Sequence, residues 1–250
     1  MISNQLIDKE FSLDPSIIYL NHAAVSPWPT RTQSAVTQFA IENANFGASR
    51  YLDWLKVEDN LKLQLQQLIN APSIDDIALL KNTSEALSFV ASGLEWQAND
   101  NIVISNQEFP SNRIVWQQLK RQGVELREVD LAKNTSPEEA IIEAMDKNTR
   151  LLSISSVQYA SGLRMNLLHL GEACKERKIL FCVDAIQSIG ALEFDVQSIQ
   201  ADFVMADTHK WMLGPEGIAL FYCREAIRDQ LRLTEFGWHM VEDMHNFTHT

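Results

Sequence analysis

Glycine and proline are scarce in this chain, 9 and 7 among 250 residues, and no tract gathers them. Nothing therefore suggests a long disordered or low-complexity segment. Neither glycine-rich phosphate loop, G-x-G-x-x-G or G-x-x-x-x-G-K-[ST], occurs, which removes the common nucleotide-binding α/β domains. The three cysteines, Cys174, Cys182 and Cys223, are odd in number and lack motif spacing. No disulfide framework is indicated, and because Cys182 sits inside an apolar run, a buried thiol in a reducing compartment is expected. Basic residues are the minority, 21 against 33 acidic ones, for a net charge of −12. Such a balance argues against a nucleic-acid or anionic-membrane surface, where phosphates must be neutralised by clustered Lys and Arg. No apolar run reaches spanning length. The N-terminus, MISNQLIDKEFSL, has neither the basic start nor the apolar run of a secretion signal. A cytoplasmic protein is expected, with no membrane, nucleic-acid or metal partner.

What is present is a globular composition, 46% hydrophobic and 22% charged, without repeats or blocks of like charge. Residues up to about Pro29 read as irregular, with a short extended piece at 17–20. Helices are predicted over ~30–46 and ~51–69, the second carrying Leu52, Leu55, Leu61, Leu65 and Leu68 at amphipathic spacing. Beyond them short apolar strands alternate with helix-length segments. The strands are expected at 77–80, 102–105, 124–129, 151–157, 179–183, 203–205 and 217–222. Asn82, followed three residues later by Glu85, opens one helix in a form close to a capping box. Ser111 is placed to cap another, and Ser136-Pro137 to open a third. Short, almost wholly apolar strands between helices indicate a mainly parallel sheet covered on both faces, an α/β three-layer sandwich. Ligands of such sheets gather beyond the carboxyl ends of the strands.

The richest stretch runs from Ile179 to Tyr222. The strand ILFCVD ends on Asp184, and the loop after the next strand holds Asp207-Thr208-His209-Lys210-Trp211. A strand-end carboxylate and a lysine one strand further on can reach the same crevice. Singly they are ordinary, a strand-end Asp and a surface Lys beside a Gly-Pro turn. Paired, they supply what pyridoxal phosphate requires: an amine for a Schiff base and a carboxylate that keeps the pyridine nitrogen protonated. Asn82-Thr83-Ser84-Glu85 is a second constellation. Free N–H groups and two hydroxyls at a helix start make an anion site without a basic residue, or an ordinary helix cap.

V-D-A-x-Q-x-x-G, then A-D-F, then H-K-W-x-x-G-P-x-G, resembles the cofactor signature of the class V aminotransferases, a group that includes cysteine desulfurases, kynureninases and isopenicillin N epimerase-like enzymes. The resemblance runs from Tyr19-Leu20-Asn21-His22-Ala23-Ala24 to about Tyr222. It implies the large domain of an aspartate aminotransferase-like, pyridoxal-phosphate-dependent transferase, with Lys210 as the Schiff-base lysine and Asp184 as the pyridinium partner. It further implies that Thr83 and Ser84 bind the cofactor phosphate, joined by His209 in the desulfurase-like branch. Gln187 would lie near the phenolic oxygen, and Gln158 would face that oxygen or the substrate amine. Phe109 stands where desulfurases usually carry His, whereas kynureninase-like and epimerase-like members carry Phe; its ring would stack on the pyridine. Asn21 and His22 are weaker candidates for the substrate side, and Arg164 for an anionic substrate group.

The expected domain organisation is an N-terminal segment at 1–29, a cofactor-binding large domain at 30–235 and the start of a second domain at 236–250. Family members are usually longer, and their C-terminal domain commonly supplies an Arg for the substrate carboxylate. None of the three cysteines falls in a loop suited to accept sulfur, which counts against persulfide chemistry. The expectation is a homodimeric enzyme acting on an amino acid or related amine through the Lys210 Schiff base, by aminotransferase, epimerase or lyase chemistry. The rivals are a non-catalytic pyridoxal-phosphate-binding module or inactive fragment, and a desulfurase-like activity.

Overall fold

The computed structural model describes residues 4–133 and 136–242. Seven strands form one sheet: β1 (Ile77–Leu80), β2 (Asn101–Ser105), β3 (Glu125–Val129), β4 (Thr149–Ser155), β5 (Leu180–Asp184), β6 (Phe203–Asp207) and β7 (Ala219–Cys223), in the order β1-β7-β6-β5-β4-β2-β3. From β3 across to β6 every neighbouring pair is parallel, while β7 runs antiparallel to both β6 and β1. The expected mainly parallel α/β sandwich is therefore present.

Alternation along the strands builds two cores. On one face Val103, Leu152, Ile154, Phe181, Val183 and Val204 pack with Leu65 and Ile69 at the end of α3 (Tyr51–Leu68), with α6 (Pro137–Ala144) and with α7 (Leu167–Arg177). On the other, Ile102, Ile104, Leu151, Leu180, Phe203 and Met205 meet α4 (Thr83–Gly93) and α5 (Ser111–Gln117). Strands β2, β5 and β7 are buried along their whole length. This is why they read as continuous apolar runs rather than alternating ones.

After β2 the chain passes through α5 to β3 on one side, then returns through α6 to β4 on the other. The order of winding thus reverses between β2 and β4, and the crevice beyond the strand ends opens beside that point.

Helix starts follow the sequence with small departures. The Asn82 side chain accepts from the Glu85 amide at 2.9 Å, but the Glu85 carboxylate turns back to the Lys81 amide rather than to Asn82. Pro110 occupies the cap of α5, and Ser111 is its first residue. In the N-terminal segment, read as irregular, Asn4–Glu10 is helical (α1). Residues 17–20 form no strand, and Ile18 and Leu20 are 89% and 86% exposed. Their apolar character found no sheet edge to pair with. Of the expected domain start at 236–250, residues 243–250 lie outside the described residues. Among the described residues no helix is long and apolar enough to cross a membrane.

Candidate active site

Three parallel strands deliver the site. The carboxyl ends of β4, β5 and β6 carry Ser155, Asp184 and Asp207, and the turn after β2 carries Phe109. All four line one cavity of about 560 Å³, together with Asn21, Thr83, Ser84, Ser111, Gln187, His209 and Lys210. Asp184 and Lys210 therefore face the same space. Lys210 is only 8% exposed and Asp184 2%.

The loop bearing Lys210 is held from several directions. Thr208 Oγ1 donates to the Pro215 carbonyl at 2.6 Å, and its amide donates to the Ile218 carbonyl at 3.1 Å. The N-terminal segment straps the same loop. The Ser26 amide donates to the His209 carbonyl at 2.9 Å, and Trp28 Nε1 donates to the Gly214 carbonyl at 3.1 Å. Gly190, the last residue of the first signature motif, has φ +96°, and a Cβ there would lie 2.3 Å from the Trp211 carbonyl oxygen. The motif needs glycine because two backbone segments, one after β5 and one after Lys210, touch at this point.

Burial acts on the two ionisable groups in opposite senses. Desolvation pushes the Asp184 carboxyl up to about 7, helped by the charge of Glu108 and opposed by an amide bond from Ile186 and by Lys210. Desolvation lowers the Lys210 ammonium, against the pull of Asp184 and Asp207. Each group favours its neutral form more than it would in water. A site that drives an acid up and an amine down in one cavity has the character of a reactive centre. Lys210 Nζ lies 5.6 Å from the centroid of the Phe109 ring, which packs edge-on against Tyr159 at 5.2 Å.

Thr83, Ser84 and His209 lie at one part of the cavity wall with Asp207 and Ser111. The Thr83 amide and hydroxyl both donate to Asp207 Oδ1, at 2.5 and 2.8 Å. His209 Nδ1 lies 3.5 Å from Asp207 Oδ2, and the Ser84 and Ser111 hydroxyls meet at 2.8 Å. Gln187 lines the cavity with its amide engaged: Nε2 donates to the Ala23 carbonyl at 2.9 Å, and Oε1 accepts from Trp211 Nε1 at 2.8 Å.

The other candidates sit elsewhere. Gln158 is buried, its Nε2 donating to Glu108 at 2.8 Å, and it is not among the side chains that line the cavity. His22 stacks on Trp211 at 5.8 Å instead of lining the cavity. Arg164 faces a different cavity with Glu138 and Asp195.

Two residues were not picked out by sequence reasoning. Asp207 ends β6 as Asp184 ends β5, and that shared position was the available signal. Glu108 is buried, and its carboxylate accepts from Ser105 Oγ, Asn112 Nδ2, the Ser155 amide and hydroxyl, and Gln158 Nε2. It ties the end of β2, the start of α5 and the end of β4 into one unit. A lone glutamate in a loop gives no hint that three of its five donors arrive from residues 47 and 50 positions away.

Comparison with known proteins gives the family and the fold. The family described as aminotransferase class-V matches residues 18–250. A probable cysteine desulfurase of Methanothermobacter thermautotrophicus is 34% identical over 232 residues, covering 91% of this chain and 58% of that protein. The isopenicillin N epimerase of Streptomyces clavuligerus is 30% identical over 236 residues, covering 90% of this chain and 58% of that protein. Among solved structures, the apo cysteine desulfurase of Thermococcus onnurineus superposes with a TM-score of 0.83 at 27% identity, over 95% of this chain and 61% of the other. A mutant of the cystine C-S lyase C-DES, with glycine covalently linked to its PLP cofactor, shares the fold at 22% identity and a TM-score of 0.81, over 88% of this chain and 60% of the other. This chain thus spans about three fifths of the length of these relatives. Pyridoxal phosphate, the cofactor expected from the sequence, is the cofactor of the family. Desulfurases and an epimerase both occur among the relatives.

Proposed function

The chain belongs to the class V aminotransferase family, and from that premise we propose that its cavity holds pyridoxal phosphate and acts at the α-carbon or amino group of a small amino acid or related amine. The observation that carries this reading is the convergence of a buried amine, Lys210, and a buried carboxylate, Asp184, on one cavity of about 560 Å³. The donor set fits the cofactor: an amine for its aldehyde, a carboxylate for its ring nitrogen, an aromatic face and a hydroxyl-rich end.

When bound, the cofactor supplies an electrophilic carbon and an electron-withdrawing ring. The chain's own residues do the rest. Burial lowers the Lys210 ammonium, so more of the side chain is present as the free amine, the form that serves as nucleophile and as proton acceptor at an α-carbon. Asp184, pushed up to about 7 by burial, gains most from a cationic partner, and a protonated ring nitrogen is such a partner. Phe109 offers a flat apolar wall within reach of Lys210 Nζ. Ser84, Ser111 and His209 offer donors for an anionic group.

The chemistry is left at transferase or lyase. A desulfurase reading takes support from the relatives' names. Against it, Cys174, Cys182 and Cys223 are all buried, and burial raises each thiol well above its usual range. None lines the cavity. The homodimer implied by the resemblance belongs to this proposal too, and the exposed apolar side chains Phe39, Ile41 and Phe46 of α2 (Thr30–Phe46) support it.

The test is exchange of the α-proton in heavy water, followed by NMR over a panel of amino acids with pyridoxal phosphate added. Exchange with at least one amino acid is expected, and Lys210→Ala should slow it by about a thousandfold or more. Cofactor binding without exchange of any substrate would leave a binding module in place of an enzyme.

A further inference from the structure

Helix α4 points its N-terminus at the cavity, and its first residue, Thr83, holds the two donors nearest that end. Both are already taken. The Thr83 amide donates to Asp207 Oδ1 at 2.5 Å, and the hydroxyl donates to the same oxygen at 2.8 Å. Asp207 lines the cavity beside Thr83, Ser84 and His209. A carboxylate of the protein thus sits where a helix start would otherwise receive an external anion.

We propose that Asp207 is an internal anion that occupies the two Thr83 donors at the start of α4 and weakens the site's hold on any phosphate-bearing ligand. The inference rests on the reading of this cavity as a pyridoxal-phosphate site and specifies how that site treats the phosphate. Two effects act in the same direction. An incoming phosphate must forgo the Thr83 donors or displace Asp207 from them, and its negative charge stands near a fixed carboxylate. The donors left to it are the Ser84 amide in the first turn of α4, the hydroxyls of Ser84 and Ser111, one of which donates to the other at 2.8 Å, and the His209 ring. Since His209 Nδ1 lies 3.5 Å from Asp207 Oδ2, one alternative role has the opposite sign: Asp207 could orient His209 for the phosphate, and its loss would then weaken binding.

The experiment compares wild type with Asp207→Asn and Asp207→Ala. Asparagine keeps an acceptor for Thr83 and removes the charge; alanine frees the donors as well. Dissociation constants are measured for pyridoxal phosphate, for pyridoxal lacking the phosphate, and for inorganic phosphate by thermal stabilisation. In Asp207→Asn, affinity for pyridoxal phosphate and for inorganic phosphate should rise by about tenfold or more, the scale of a like-charge contact in a half-buried site. Affinity for pyridoxal should change little. The ratio of the pyridoxal constant to the pyridoxal-phosphate constant, taken within each variant, cancels any general loosening of the fold. An unchanged or smaller ratio in both variants overturns the proposal, and a drop in phosphate affinity assigns Asp207 to orienting His209. If no variant binds pyridoxal or its phosphate, the functional reading has failed. The inorganic-phosphate arm then still decides the role of Asp207: tighter binding in Asp207→Asn supports it, and equal or weaker binding refutes it.

Discussion

The sheet and the α2–α3 arm both carry apolar side chains, but these have opposite fates. Strands β2, β5 and β7 are wholly buried. No residue of α2 is buried, and Leu65 is the single buried residue of α3. An amphipathic pattern reports that a face seeks a partner; it does not say whether this chain supplies that partner. The sheet finds its partners within the chain, and every cofactor candidate that lines the cavity is anchored on it or on α4. The candidate site therefore belongs to the part of the molecule whose apolar faces are packed within this chain.

The sharpest way to test that contrast is to cut into each region. Ile102→Ala, in the fully buried β2, should cost about 2–5 kcal/mol of unfolding free energy, measured by urea titration. A loss under about 1 kcal/mol would mean that the sheet is not the stabilising core.

The second effect is electrostatic. Burial pushes Asp184 up to about 7, so between the ordinary carboxylate range and neutrality the folded, cofactor-free protein keeps a proton that the unfolded chain has released. The stability this gives is complete at acid pH and fades as pH rises through 7. From about pH 5 to about pH 8 the group should remove on the order of 3 kcal/mol, and Asp184→Asn should flatten that slope. Parallel pH profiles for wild type and variant would show that Asp184 is not a buried, proton-holding group.

A smaller loss is expected at Glu108. In Glu108→Gln the carboxamide offers one acceptor oxygen in place of two, among five donor contacts, and the variant should lose about 1–3 kcal/mol. The smallest effect belongs to the arm: Ile41→Ser, at a half-exposed α2 position, should stay within about 0.5 kcal/mol at concentrations where the chain is monomeric. A larger loss there would place part of the core in the arm.

The sheet was legible because its strands are apolar runs separated by helix starts with recognisable caps; β1 was read at its observed bounds, 77–80. Lys210 and Asp184 were legible because local motifs surround them. Residues 17–20 misled because an apolar tetrapeptide looks the same whether or not a sheet edge awaits it. Glu108 and Asp207 escaped because their roles depend on contacts with residues 47 to 124 positions away, Ser155 and Gln158 for Glu108 and Thr83 for Asp207. Local spacing cannot encode such contacts.

The whole reading turns on which amine meets the cofactor, and borohydride reduction of the protein incubated with pyridoxal phosphate, followed by peptide mass spectrometry, asks this directly. The pyridoxyl group should be found on the peptide carrying Lys210, and on no peptide of the Lys210→Ala variant. A cooperatively folded protein labelled at another lysine, or at none, would contradict the account.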